Sequence, residues 1–255
     1  MIGLIEAVIW DLYGTLFISE RGNKVEDPGH HDVLEKGFKA INKRYKVNID
    51  PVEGSKHYKN LEKKLHDKNI KNKDYDINHP ELDIRNLWKI FFDTYLNRKI
   101  TDDKAEEISA FFEKTINPVY LPKENENLLV YLKNNNIKQG ILSNSQFYSL
   151  ELLEDEIENI GEYFDKDLMV LSFREEVGKP DNKIYKVLKK KLRKKKIKPK
   201  NCIMVGNDVK NDIEPLKKMG FKTILISTNN QYSEYADYIV NKPRQMYEIF
   251  ENLIK

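Results

Sequence analysis

The C-terminal half of the chain alternates short, continuous apolar runs with longer amphipathic stretches. The runs are QGILSN (139–144), DLMVLS (167–172), NCIMVGND (201–208), KTILIS (222–227) and ADYIV (236–240). All are rich in branched aliphatics and lack the polar alternation of a half-exposed strand, so they read as strands covered on both faces. Between them lie helical patterns at 124–135, 149–162, 181–196, 209–219 and 243–255, with Gly220 placed as a helix stop and Pro243 as a start. Such alternation makes a parallel sheet with helices on both faces. The N-terminal run AVIWD (7–11) supplies one more strand.

Residues 18–117 break this rhythm. HHDVLEKGFKAINKRY, LDIRNLWKIFFDTYL and DKAEEISAFFEKTI are helical in period, and little in this stretch looks like a strand. The polar link NIKNKDYDINHP (69–80) reads as an exposed loop. The expectation is an α/β core made of residues 1–17 and 118–255, with a helical domain of residues 18–117 inserted after the first strand. Phe91, Phe92, Tyr95, Phe111 and Phe112 fall at helical spacing and read as packing residues of that insertion. Arg85 reads as an exposed arginine beside a core Trp88 rather than a substrate contact. His30 and His31 have no companion ligands at zinc spacing.

Composition excludes more than it selects. Of 255 residues 33% are charged, yet the formal net charge is only +3, so nothing demands a polyanionic partner. The basic run KKKLRKKKIKPK (189–200) has no interleaved aromatics on which bases could stack, and reads as a solvated helix end rather than a nucleic-acid surface. Cys202 is the only cysteine, which rules out an internal disulfide and fits a reducing compartment. Its setting, CIMVG, suits a small buried hydrophobe. The start MIGLIEAVIWD has no basic residue before its apolar run, is interrupted by Glu6, and lacks a cleavage site. No apolar run approaches the roughly 20 residues that cross a bilayer. The expectation is a cytoplasmic protein without a membrane or nucleic-acid partner, its oligomeric state left open.

In open parallel sheets ligands gather at the carboxyl ends of the strands. Here the first strand delivers Asp11, followed by Gly14 and Thr15; GILSN delivers Ser143 and Asn144; GKPDNKIY brings Lys179 to a helix start; VGNDVKNDI brings Asn207, Asp208 and Asp212. One acid at a strand end is commonly a helix cap. Several acids, a lysine and a Ser–Asn pair at successive strand ends suit a phosphate ester instead. A carboxylate can attack phosphorus to form an acyl phosphate, carboxylates from separate strands can hold Mg²⁺, and a hydroxyl with an ammonium can steady the non-bridging oxygens.

The motifs DLYGTL, LSN, GKPDNKIY and VGNDVKNDI, in that order at strand ends, resemble the haloacid dehalogenase superfamily, a Rossmann-like group composed mostly of phosphatases. The insertion stands where that superfamily places a C1-type cap. The resemblance implies that Asp11 is the nucleophile, that Ser143 with Asn144 binds the transferred group, and that Lys179 steadies the intermediate. It implies Mg²⁺ on Asp11, the backbone carbonyl of Tyr13, Asp208 and Asp212, with a small phosphorylated metabolite as substrate. Two positions depart from the family's pattern. Tyr13 stands where its phosphatases carry a second Asp, general acid and then base, and Tyr is also the residue found there in L-2-haloacid dehalogenases, which attack carbon without metal. Asn207 stands where an acid is frequent. Those dehalogenases carry neutral residues at the positions matching Asn207 and Asp208, so Asp208 favours a cation. The readings are a Mg²⁺-dependent phosphatase, a metal-free hydrolase of 2-haloacids, and a member that keeps the fold without turnover.

Overall fold

The computed structural model describes residues 5–19, 30–72, 77–227 and 231–254, with backbone alone at 30–32 and 71–72. The side chains of His30 and His31 and part of the 69–80 link lie outside these described residues. Strand β1 (Ala7–Trp10) forms where the chain is most uniformly apolar, and all its side chains are buried. The indole of Trp10 donates to Gln139 Oε1 at 3.2 Å, so this large side chain enters the core without an orphaned donor. β4 (Lys138–Ser143) and β6 (Cys202–Gly206) flank β1, with Trp10 opposite Ile141 and Val205. That register brings Asp11, Ser143 and Gly206 to the same edge.

β5 (Met169–Leu171), β7 (Lys222–Ile226) and β8 (Tyr238–Val240) complete a six-stranded parallel sheet of order β5-β4-β1-β6-β7-β8. Among the described residues six α-helices belong to this α/β part: α5 (Lys123–Asn134), α6 (Tyr148–Glu156), α7 (Ser172–Glu175), α8 (Asn182–Lys194), α9 (Glu214–Lys218) and α10 (Pro243–Ile254). The expected α/β architecture with a helical insertion is therefore the observed one. The chain divides into two compact units, Met1–Ile18 with Tyr120–Lys255, and Ser19–Val119. The short strands β2 (Ile18–Ser19) and β3 (Val119–Tyr120) pair with each other where the chain passes between the units.

The second unit holds α1 (His30–Tyr45), α2 (Pro51–Asn72), α3 (Ile84–Leu96) and α4 (Asp102–Ile116). Asp83 and Thr101 cap α3 and α4 by accepting from the amides of Arg85 and Lys104. Asn97 closes α3 in the left-handed region at φ 50°. Phe38, Tyr58, Trp88, Phe91 and Phe112 form its aromatic core, the Trp88 and Phe112 rings meeting edge to face at 4.9 Å. Tyr95 and Phe111 are only half-buried beside it. Arg85 pairs with Asp83 and Glu106, each at 3.0 Å.

Three local details differ from the sequence reading. α2 continues through residues 69–72, expected as loop, because its lysines, glutamates and leucines are good helix formers and no Gly or Pro stands between Gly54 and Pro80. The expected 149–162 helix ends at Glu156: Ile157 turns extended, and Asn159 takes a left-handed conformation (φ 55°) before a short 3₁₀ turn. The 209–219 helix opens with a π turn, Val209–Ile213. Pro215 has no N–H for the carbonyl of Asn211, and the hydroxyl of Tyr185 donates to that carbonyl instead, at 2.7 Å.

Candidate active site

Asp11 leaves β1 still tied to the sheet, its amide donating to the Val205 carbonyl at 3.0 Å. The chain then turns sharply. Gly14 adopts φ 76°, and the amides of Thr15 and Phe17 both donate to the Leu12 carbonyl. A side chain at Gly14 would also collide with Asn207, since a Cβ there would lie 2.2 Å from its Nδ2. Asn125, buried on α5, fixes this turn from outside by donating to the carbonyls of Thr15 (3.2 Å) and Leu16 (2.9 Å). Thr15 in turn donates to Asp11 Oδ2 at 3.3 Å.

The other oxygen of Asp11 meets the remaining motifs. Oδ1 accepts from Lys179 Nζ at 2.8 Å and from Ser143 Oγ at 3.1 Å. Lys179 Nζ also donates to Asp212 Oδ1 at 2.6 Å and to the Leu142 carbonyl at 3.0 Å. Asp212 Oδ2 accepts from the amides of Asn207 and Asp208, at 3.2 and 3.1 Å. Gly206 permits that approach, because a Cβ there would fall 2.3 Å from Cβ of Asp212. Asp11, Ser143, Lys179 and Asp212 are all buried. Burial alone would push Lys179 toward the neutral amine, yet the charges of Asp11 and Asp212 outweigh it and hold the ammonium above the ordinary lysine range. Burial pushes the Asp212 carboxyl up to about 7, against the pull of Lys179 and with the help of Asp11. The two directions differ in cause: the paired acids hold Lys179 charged against its burial, while Asp212 rises chiefly because it is buried.

Three further expected site residues have partners of their own. Asn144 directs its carboxamide to the backbone of Lys179, accepting from the amide at 2.6 Å and donating to the carbonyl at 2.9 Å. Asp208 turns into its own helix start: Oδ1 accepts from the amides of Lys210 and Asn211, and Oδ2 from Asn211 Nδ2. The Tyr13 hydroxyl lies 2.9 Å from Ser149 Oγ, and its ring packs edge-on against Phe17 at 5.9 Å. Asn125 and Tyr185 had no part in the sequence reading. Asn125 lies outside the motifs, Tyr185 ends GKPDNKIY without a role assigned there, and only the spatial return of α5 and α8 to the site brings them in. Among the described residues no three His, Cys, Asp or Glu side chains are grouped as a metal cage.

A parallel sheet that brings a buried carboxylate, a hydroxyl and a lysine together at its carboxyl edge, with a helical insertion after the first strand, defines a class of α/β hydrolases. The family profile of haloacid dehalogenase-like hydrolases matches residues 5–220, and the chain belongs to that family. The chain is similar to the glyceraldehyde 3-phosphate phosphatase of Pyrococcus furiosus, 35% identical over 94 residues; the match spans 34% of this chain and only 38% of that relative's length. Among solved structures it is similar to a 2-haloacid dehalogenase from Pseudomonas syringae pv. Tomato, with a TM-score of 0.61, 17% identity, and 98% and 99% of the two chains covered. It is also similar to a HAD phosphatase from Thermococcus onnurineus, with a TM-score of 0.58, 17% identity, and 96% and 98% covered. At such identities the likeness to the two structures concerns the fold. Among the described residues no helix is long and apolar enough to cross a membrane.

Proposed function

We propose that this hydrolase is a Mg²⁺-dependent phosphatase of a small phosphorylated metabolite, working through a phosphoryl group carried on Asp11. The observation that carries the reading is the sharing of Lys179 between Asp11 and Asp212, at 2.8 and 2.6 Å. Two buried carboxylates on one ammonium leave a net negative charge in a poorly solvated place, which a cation would balance. The donors fit Mg²⁺, an ion commonly held by one or two carboxylates with water and substrate oxygens completing its octahedron. Asp11, Asp212 and the Tyr13 carbonyl would hold it, and Asp208 would join them only by releasing its turn. Mg²⁺, when bound, screens the approach of two anions and neutralises charge on the phosphoryl oxygens.

The chain's own residues do the rest. Ser143 and Lys179 fix Asp11 Oδ1, so the carboxylate meets phosphorus in one orientation. As the phosphorus–oxygen bond breaks, the Ser143 hydroxyl and the Lys179 ammonium stand ready for the non-bridging oxygens. The partial match to a phosphatase of a phosphorylated triose supports phosphorus over carbon. Tyr13 favours the second reading, attack on the carbon of a 2-haloacid without metal.

Assays of phosphoesters and 2-haloacids with Mg²⁺ and with EDTA separate the two. The expected result is phosphate release abolished by EDTA and restored by Mg²⁺. Chloride release that ignores EDTA, with no phosphate released at any Mg²⁺ level, would overturn the phosphatase reading.

A further inference from the structure

We infer that Tyr185 is a positioning residue for Asp212: its hydroxyl holds the peptide that enters Asp212, and so sets how well that carboxylate receives Mg²⁺. The inference rests on the Mg²⁺ reading above and adds a residue that acts on the site through another. The motif GKPDNKIY carries Lys179 and, six residues on, Tyr185. Both reach VGNDVKNDI. Lys179 Nζ donates to Asp212 Oδ1 at 2.6 Å, and the Tyr185 hydroxyl donates to the carbonyl of Asn211 at 2.7 Å. Lys179 stands just before α8 and Tyr185 in its first turn. One short stretch of chain therefore grips Asp212 twice, by its carboxylate and by the backbone beside it. Lys179, Tyr185 and Asp212 are all buried.

The peptide between Asn211 and Asp212 is tied at both of its polar groups. Its carbonyl accepts from Tyr185, and its N–H, that of Asp212, donates to the Asp208 carbonyl at 2.8 Å. A peptide is planar, so two such bonds fix its orientation and with it the direction in which Asp212 leaves the backbone. From there one carboxylate oxygen reaches Lys179, and the other accepts from the amides of Asn207 and Asp208 at 3.2 and 3.1 Å. The dependence on Tyr185 is particular to this turn. An α-helix would serve the Asn211 carbonyl with the amide four residues on, and that residue is Pro215, which has none. Without the hydroxyl the π turn loses this tie, and the Asp212 carboxylate moves with it. Mg²⁺ demands near-ideal octahedral placement of its oxygens, so it is sensitive to such a shift. Groups that orient a metal's ligands from behind typically contribute about 10–100-fold in metal affinity or activity.

The test is Tyr185→Phe, which keeps the buried ring and removes only the hydroxyl. Titration calorimetry reads Mg²⁺ binding to the substrate-free protein, well below the melting temperature of each variant. Hydrolysis of 4-nitrophenyl phosphate at saturating Mg²⁺ supplies KM. Leu192→Val, buried about two turns further along α8, is the control for lost packing in the same helix. The expected result is a Kd for Mg²⁺ raised about 10–100-fold in Tyr185→Phe. Leu192→Val should keep the wild-type Kd, and neither variant should change KM. An unchanged Kd in Tyr185→Phe, whatever its melting temperature, would overturn the inference and leave Tyr185 as a brace of the fold; the Mg²⁺ reading would stand. Equal weakening in both variants would overturn it too, since Mg²⁺ affinity would then simply follow stability. Wild-type protein that binds no Mg²⁺ would remove the Mg²⁺ reading itself, and this inference with it.

Discussion

Asn144 and Lys179 are joined in both directions, Asn144 Oδ1 accepting from the Lys179 amide at 2.6 Å and Asn144 Nδ2 donating to its carbonyl at 2.9 Å. This places the lysine's backbone, and through it the ammonium that bridges Asp11 and Asp212. Asn144→Ala removes both bonds and should cost about 1–3 kcal/mol of stability at roughly 0.5–1.5 kcal/mol each. If positioning is its role, kcat falls by up to about 10²-fold, the scale of an ångström misplacement, while KM changes less. Thermal melting and steady-state kinetics check this together. A KM rise with kcat unchanged would make Asn144 a substrate contact instead.

Asp11→Asn separates chemistry from stability. Loss of the nucleophile should reduce turnover by on the order of 10⁴-fold or more. The same change leaves Lys179 paired with Asp212 alone, so the excess negative charge of the buried cluster disappears. Without Mg²⁺ the variant should therefore melt at or above the wild-type temperature, and adding Mg²⁺ should raise its melting point less. A marked fall in melting temperature would mean that Asp11 stabilises the fold rather than straining it.

What the sequence made legible here is the part encoded by local pattern. The apolar runs of β1, β4 and β6 and the acids, hydroxyl and lysine that end them stand next to each other in the chain, so their convergence follows from the rule for parallel sheets. What side chains do after arriving is less visible. Asn144 looks like a ligand group from LSN alone, and only the approach of residues 178–179 shows that its carboxamide serves the backbone of Lys179. Asp208 likewise reads as a metal ligand in the sequence, and the structure adds amide partners at Lys210 and Asn211 that no motif announces. Asn125 lies over a hundred residues from the turn that it clamps (|i−j| of 109 and 110), a distance no local pattern spans. The π turn needed both Pro215, which is legible, and the Tyr185 hydroxyl, which is not.

Cys202 should be inert while the protein is folded. It is fully buried in β6, and burial pushes its thiol up to about 12, with the charge of Glu6 adding to the rise. Since the thiolate is the reacting form, a disulfide reagent at neutral pH should label it only as fast as the sheet opens. Labelling followed with and without denaturant checks this. Fast native labelling at the rate of a free thiol would contradict the burial of β6.

The fourth motif allows the most discriminating pair of substitutions, at its neighbours Asn207 and Asp208. Asp208 caps the helix start through the amides of Lys210 and Asn211, so Asp208→Ala should cost about 0.5–2 kcal/mol of stability. Its effect on the Mg²⁺ concentration for half-maximal activity should be small if the carboxylate stays in its turn. Asn207 follows Gly206 directly at the strand end, and its carboxamide lies beside the Asp11–Thr15 turn, against Gly14. A carboxylate there would be a better ligand for a hard cation than an amide. Asn207→Asp should therefore lower the half-maximal Mg²⁺ concentration, and it should also destabilise the metal-free protein by adding another negative charge near the Asp11–Asp212 pair. Mg²⁺ titrations of activity and of melting temperature, run on both variants, read these effects separately. The reverse outcome, with Asp208→Ala losing Mg²⁺ dependence and Asn207→Asp indifferent, would show that Asp208 leaves its turn to hold the metal.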